Sequence, residues 1–209
     1  MYIICSDLEG VFVPEIWINV SVRTGIEELK LTTRDISDYD VLMRGRLELL
    51  RKHNLTLKDI QEVISKLEPL PGALEFVNWL RSQAQLIIVS DTFIEFADPL
   101  LAKLGRPTLL CHSLSVDSSG NIISYNLRQR DAKKKVTEAL QGLKYKVIAI
   151  GDSYNDIAML RQANVGILFN PPQNVIDEHG DLIIIESYDE LKRTISLLIE
   201  SESLTGSNT

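Results

Sequence analysis

Short apolar runs rich in Ile and Val recur at residues 2–6, 86–90, 146–150, 165–169 and 182–186, and helical spacing fills most of the intervals between them. Parallel strands buried on both faces read as continuous apolar runs, so the alternation predicts an α/β protein on a doubly wound parallel sheet. The interval from Pro14 to Leu70 breaks the pattern. Its apolar residues fall at helical intervals (Ile16, Val20, Ile26, Leu29; Val41, Leu47, Leu50; Ile60, Val63, Ile64, Leu67), and it stops at Pro69-Leu70-Pro71-Gly72. We read residues 14–70 as a helical cap inserted after the first strand, leaving a catalytic core at 1–13 and 71–200. Asp117-Ser118-Ser119-Gly120-Asn121, between Leu114-Ser115-Val116 and Ile122-Ile123-Ser124-Tyr125, predicts a β-hairpin. The small polar run SESLTGSNT at 201–209 is expected to be a flexible tail.

Two of the apolar runs end on acids beside glycine. The first leads into Asp7-Leu8-Glu9-Gly10, the other into Gly151-Asp152-Ser153-Tyr154-Asn155-Asp156. Asp and Gly after a strand commonly do no more than turn the chain. Two further features point elsewhere: the run at 86–90 ends in Ser90-Asp91-Thr92, and Lys133 opens a helix-like stretch. An acid, a hydroxyl, a lysine and an acid, each at a strand or helix end, suit phosphoryl transfer.

The charges set the terms of that chemistry. A carboxylate and a phosphate about 4 Å apart repel by roughly 4 kcal/mol at an effective dielectric near 20. A Mg²⁺ between Asp7 and the phosphate reverses the sign, and Mg²⁺ takes one or two protein carboxylates, here Asp7 and Asp152. Ser90 would offer its hydroxyl, Asp91 a backbone N–H at an expected helix start, and Lys133 a point charge, with Lys134 and Lys135 as rivals. Asn155 would reach substrate, and Asp156 would orient the metal's waters or Lys133. Glu9 is the candidate general acid and base, a task for which its pKa must rise from about 4.3 toward 6–7.

Composition narrows the field. The 209 residues carry a net charge of −7, which argues against nucleic acid as a partner. The apolar runs are too short to span a membrane, and no secretory leader pattern opens the chain. Cys5 and Cys111 both sit in apolar runs and read as reduced core residues, so a cytoplasmic address is expected. A homodimer is left open.

Asp7-Leu8-Glu9-Gly10-Val11, Ser90-Asp91-Thr92, Lys133 and Gly151-Asp152 through Asp156 together resemble the four motifs of the haloacid dehalogenase superfamily. The resemblance covers residues 1 to 200. It is narrower still toward the phosphoserine phosphatase branch, and within it toward the bifunctional phosphoserine phosphatase/homoserine phosphotransferases. That match rests on Val13-Pro14-Glu15-Ile16-Trp17, Thr32-Thr33-Arg34-Asp35-Ile36, Asp38 through Met43, and Leu109-Leu110-Cys111-His112. Most phosphatases of the superfamily carry Asp two places after the nucleophile; this chain has Glu9, as the resembled subgroup does.

The resemblance implies a Mg²⁺-dependent phosphatase that forms an aspartyl phosphate on Asp7 and takes phosphoserine as substrate, with homoserine as a further acceptor. It implies the backbone carbonyl of Glu9 as a third metal ligand, and the cap as the selector of substrate. There Glu15 would bind an ammonium group and Arg46 an α-carboxylate, with Arg44 as its rival. Two other readings keep parts of this chemistry: a phosphatase for a nucleotide or sugar phosphate, and a receiver-like signalling module, whose phospho-aspartate lies mid-chain and which lacks a cap.

Overall fold

The computed structural model describes residues 1–32, 35, 36 and 38–205, with backbone alone for 203–205. Thr33 and Arg34 of the subgroup resemblance, and residues 206–209 of the expected tail, lie outside the described residues. The chain runs β1 (Tyr2–Ser6), α1 (Ile16–Thr24), a 3₁₀ turn (Glu27–Lys30), α2 (Tyr39–Lys52), α3 (Leu57–Ser65), α4 (Ala73–Gln83), β2 (Gln85–Phe93) and α5 (Ile94–Lys103). It continues with β3 (Thr108–Val116), β4 (Ile122–Asn126), α6 (Ala132–Gly142), β5 (Lys146–Gly151), α7 (Ile157–Gln162), β6 (Val165–Phe169), α8 (Gln173–His179), β7 (Ile183–Ile185) and α9 (Tyr188–Thr205).

The strands form one sheet in the order β4-β3-β2-β1-β5-β6-β7, parallel throughout except for the antiparallel β3–β4 hairpin. Successive side chains of a strand face opposite ways, and the core divides accordingly. Ile4, Ile88, Ile148, Ile150 and Ile167 pack on one face with Phe76 and Leu80 of α4, Phe96 of α5, and Leu191 and Ile195 of α9. Ile3, Cys5, Val89, Val147, Ala149 and Leu168 pack on the other with Val136 of α6, Met159 and Leu160 of α7, and Val175 of α8. Helices on both faces explain why the strands read as unbroken apolar runs.

The order reverses direction at β1, which lies between β2 and β5. Crevices at the carboxyl ends of strands open at such a switch point. The register puts Ser6 opposite Ile150, and the N–H of Asp7 donates to the carbonyl of Ile150 at 2.9 Å. Asp7 and the loop after β5 therefore leave the sheet side by side.

Beyond β1 the chain bends through Gly10, whose φ of +74° suits glycine, and enters the helical insert α1–α3. Its exit is tied to its entrance by Leu70 N–H donating to the carbonyl of Phe12 at 2.9 Å. Ile16, Val20, Met43, Ile60 and Ile64 of the insert belong to the same apolar cluster as Phe96, Ala97 and Leu100 of α5. Trp17 also packs edge-to-face with Phe96, with ring centroids 5.5 Å apart.

Two expectations need correction. Asp91 is not at a helix start: β2 continues through Thr92 and Phe93, and α5 begins only at Ile94. The β-branched Thr92 and aromatic Phe93 favour extended backbone, and Phe93 pairs with His112 of β3. Nor does a tail begin at residue 201, because α9 carries on through Thr205. Ile195 and Ile199 pack that helix on the core, and Glu202 forms an ion pair with Lys146. That anchorage outweighs the polar composition of the last turns.

Candidate active site

Asp7, Asp152 and Asp156 each place a carboxylate oxygen within 4.8 Å of the others. Asp7 and Asp156 are buried; Asp152 is partly so. Two close approaches of backbone make the cluster. A Cβ on Gly10 would overlap the Asp152 carboxylate, and one on Gly151 would overlap the side chain of Asp156. Asp156 anchors its own loop, its Oδ2 accepting from the N–H groups of Asp152 at 3.0 Å and Ser153 at 3.2 Å.

Lys133, in the first turn of α6 and 4% exposed, points into this group. Its Nζ donates to Asp7 Oδ2 at 2.8 Å and to Asp156 Oδ1 at 2.7 Å, and stands 3.6 Å from Asp91 Oδ2. Lys134 instead pairs with Glu138 on the helix surface, which separates the motif lysine from that neighbour. Burial works against a charged lysine, but Asp156, Asp7 and Asp91 hold its pKa well above the ordinary value.

One lysine does not balance these acids. Burial, then the charge of Asp156, pushes the Asp7 carboxyl well above the usual carboxylate range. Burial, then Asp156 and Glu15, pushes Asp152 up to about 7. Crowded, half-compensated oxygens with no nitrogen or sulfur donor among them fit a hard divalent cation such as Mg²⁺. Asp156 already accepts three hydrogen bonds, which leaves Asp7 and Asp152 the better placed pair.

Asp7, Asp152 and Lys133 line a cleft of about 1220 Å³ together with Glu9, Glu15, Arg46, Ser90, Asp91 and Asn155. The Glu9 carboxylate lies outside the three-acid group and accepts from the N–H of Ile16, the first residue of α1, at 2.7 Å. Burial, then the charge of Glu15, raises its pKa to about 8. Ser90 is buried, and its Oγ accepts from the N–H of Thr92 at 3.3 Å. Asn155 is held at both ends of its amide: Nδ2 donates to Asp91 Oδ2 at 3.0 Å, and Oδ1 accepts from Ser153 Oγ at 2.7 Å. Its visible role is to hold Asp91.

Arg46 is 8% exposed, its guanidinium 4.5 Å over the Trp17 ring. Nη2 donates to the carbonyl of Leu31 at 2.8 Å, while Nε has no hydrogen-bond partner among the described residues. Burial lowers its pKa to about 10. Arg44, the rival, is exposed and donates from Nε to the carbonyl of Asp40.

Residues 6–164 match the model of the haloacid dehalogenase-like hydrolases. The chain belongs to this family. That sets aside the receiver-like module. The chain is 55% identical over 205 residues to "Phosphoserine phosphatase ThrH" of Pseudomonas aeruginosa, covering 98% of this chain and all of that one. It is 56% identical over 191 residues to "Phosphoserine phosphatase" of Pseudomonas syringae pv. tomato, covering 91% and 81%. Among solved structures, phosphoserine phosphatase from T. onnurineus in complex with NDSB-201 superposes with a TM-score of 0.74 at 22% identity, covering 93% of this chain and 94% of that one.

Two groups in the cleft of this haloacid dehalogenase-like hydrolase lie in segments of the subgroup resemblance that give them no role. Tyr39 donates from its hydroxyl to the carbonyl of Asp91 at 3.2 Å, fastening α2 of the insert over the end of β2. His112, to which no motif assigns a role, is buried beside Asp91. The available signal is a polar ring at the end of the apolar run Leu109-Leu110-Cys111, where a buried histidine needs partners.

Proposed function

We propose that the protein is a Mg²⁺-dependent phosphoserine phosphatase that works through an aspartyl phosphate on Asp7 and can pass the phosphoryl group to homoserine as well as to water. The observation that carries the substrate is Arg46, a buried guanidinium with an unused Nε in the same cleft as Asp7. A buried arginine short of a partner favours an anionic group, and a carboxylate matches its fork. Glu15, exposed at the start of α1, supplies the opposite charge for an ammonium group. Phosphate chemistry at one end and a zwitterion's two charges at the other describe an O-phosphorylated amino acid. The two relatives called phosphoserine phosphatase support the same choice.

The steps follow from the side chains. Asp7 attacks phosphorus while Ser90 and Lys133 hold the equatorial oxygens, whose spreading charge such preorganised donors stabilise. The P–O bond to serine breaks, and Glu9, protonated at neutral pH with its pKa near 8, donates its proton to the leaving oxygen. As a carboxylate, Glu9 then takes a proton from water or from the homoserine hydroxyl, which attacks phosphorus and restores Asp7. Mg²⁺ held by Asp7, Asp152 and the carbonyl of Glu9 would supply positive charge between nucleophile and phosphate. In this reading the two free cysteines fit a cytoplasmic protein.

The test is a screen of small phosphomonoesters for phosphate release with Mg²⁺ and again with EDTA. Phosphoserine should give the highest kcat/KM, and EDTA should abolish turnover. A sugar or nucleotide phosphate that outperforms phosphoserine would replace the amino-acid reading of Arg46 and Glu15.

A further inference from the structure

His112 lies buried on β3, and no step above uses it. The backbone N–H of Arg128 donates to its Nδ1 at 3.1 Å. That nitrogen is an acceptor, so the ring carries its proton on Nε2. Nε2 faces Asp91 Oδ1 across 3.7 Å, too far for an ordinary hydrogen bond but near enough for an N–H dipole aimed at a charge. The other oxygen, Oδ2, accepts from Asn155 and stands 3.6 Å from Lys133 Nζ. Lys133 in turn donates to Asp7. One row of polar contacts thus runs from the interior of β3 to the acid after β1.

Asp91 needs such support. A carboxylate next to Ser90 repels a phosphate entering the cleft unless neighbours match its charge. Burial opposes its ionisation, yet the charge of Lys133 and the N–H groups of His112 and Asn155 hold its carboxyl well below the usual range. It remains an anion, and where that anion stands decides what the phosphate meets.

We propose that His112 is a positioning residue that pins the Asp91 carboxylate against Asn155 and Lys133, keeping Lys133 on Asp7 and the Ser90 side of the cleft open to a phosphate dianion. The proposal rests on the phosphomonoester reading above, and the influence of His112 on turnover passes through the charge of Asp91.

A double-mutant cycle tests it. Asn at 112 keeps an acceptor for the Arg128 N–H but offers no donor at the Nε2 position; Gln reaches further and can offer one. His112→Asn should raise KM for phosphoserine about tenfold with a smaller change in kcat, and His112→Gln should recover most of the loss. With Asp91→Asn in place, His112→Asn should change KM by less than about twofold. Equal losses with and without the Asp91 charge would overturn the proposal. Should His112→Asn fail to fold, the same cycle is run with His112→Gln, which must then be nearly silent in both backgrounds; a loss that persists with Asp91→Asn overturns the proposal. ¹⁵N NMR of the unmodified protein bears on the geometry without any substrate: a proton on Nδ1 would also overturn it. A wild-type protein that hydrolyses no phosphomonoester would sink the functional reading instead, and the tautomer would still report on His112.

Discussion

Gly10 and Asp152 occupy the same small space, since any Cβ on Gly10 would overlap the Asp152 carboxylate. The loop after β1 thereby presses against the loop after β5, and the proposed metal ligand is positioned by a side chain that is absent. Gly10→Ala should displace Asp152 and add the strain of a positive φ, on the order of 1 kcal/mol. We expect Mg²⁺ affinity by titration calorimetry to fall tenfold or more, to about the level of Asp152→Ala. Wild-type affinity in Gly10→Ala would mean that Asp152 does not hold the ion.

Asp7→Asn should abolish turnover without unfolding the protein. Ionised Asp7 is buried against Asp156, so the neutral amide relieves repulsion even as it weakens the hold on Lys133. Mass spectrometry after a rapid quench should find the phosphoryl group on Asp7 in the wild type. A phosphoryl group elsewhere, or substantial activity in the variant, would remove Asp7 from its proposed role.

Glu9 links stability to pH with a definite sign. Its folded pKa of about 8 lies above the ordinary 4.5, so the protonated form favours folding. That contribution is fully present below pH 4.5 and is lost as pH rises through about 8. Relative to Glu9→Gln, the wild type in EDTA should lose roughly 2–4 kcal/mol of unfolding free energy between pH 5 and 9. Parallel urea-denaturation curves for the two proteins across that range would contradict the raised pKa.

Arg46→Ala should raise KM for phosphoserine at least tenfold while leaving phosphoethanolamine, which lacks the carboxylate, nearly unchanged. Arg46→Lys should rescue little, because a lysine has neither the fork nor the flat face that stacks on Trp17. Similar losses for both substrates would make the residue structural.

Homoserine keeps the amine and carboxylate that Glu15 and Arg46 would bind. Its oriented hydroxyl can reach an effective molarity of about 10⁵ M or more, against water at about 55 M. ³¹P NMR of enzyme, phosphoserine and homoserine should therefore show O-phosphohomoserine, with less free phosphate than serine released. One phosphate per serine at saturating homoserine would make the protein a hydrolase alone.

Chain position and local chemistry are legible in the amino-acid sequence itself. The parallel strands β1, β2, β5, β6 and β7 announce themselves because helices packed on both faces favour unbroken apolar runs, and Asp7, Ser90, Lys133 and Asp152 because each closes or follows an apolar run or opens a helix. The helical insert is readable from its 3.6-residue periodicity. Tertiary structure decides what depends on partners far along the chain. The strand order makes β1 and β5 neighbours and so brings Asp7 to Asp152. Burial over Trp17 separates Arg46 from Arg44, and Asp7, Asp91 and Asp156, from three separate segments of the chain, single out Lys133. His112 and Asp91 form a pair only because β3 lies beside β2. Strand and helix formation answer to neighbours a few residues away, whereas a buried charge answers to whatever the fold sets against it.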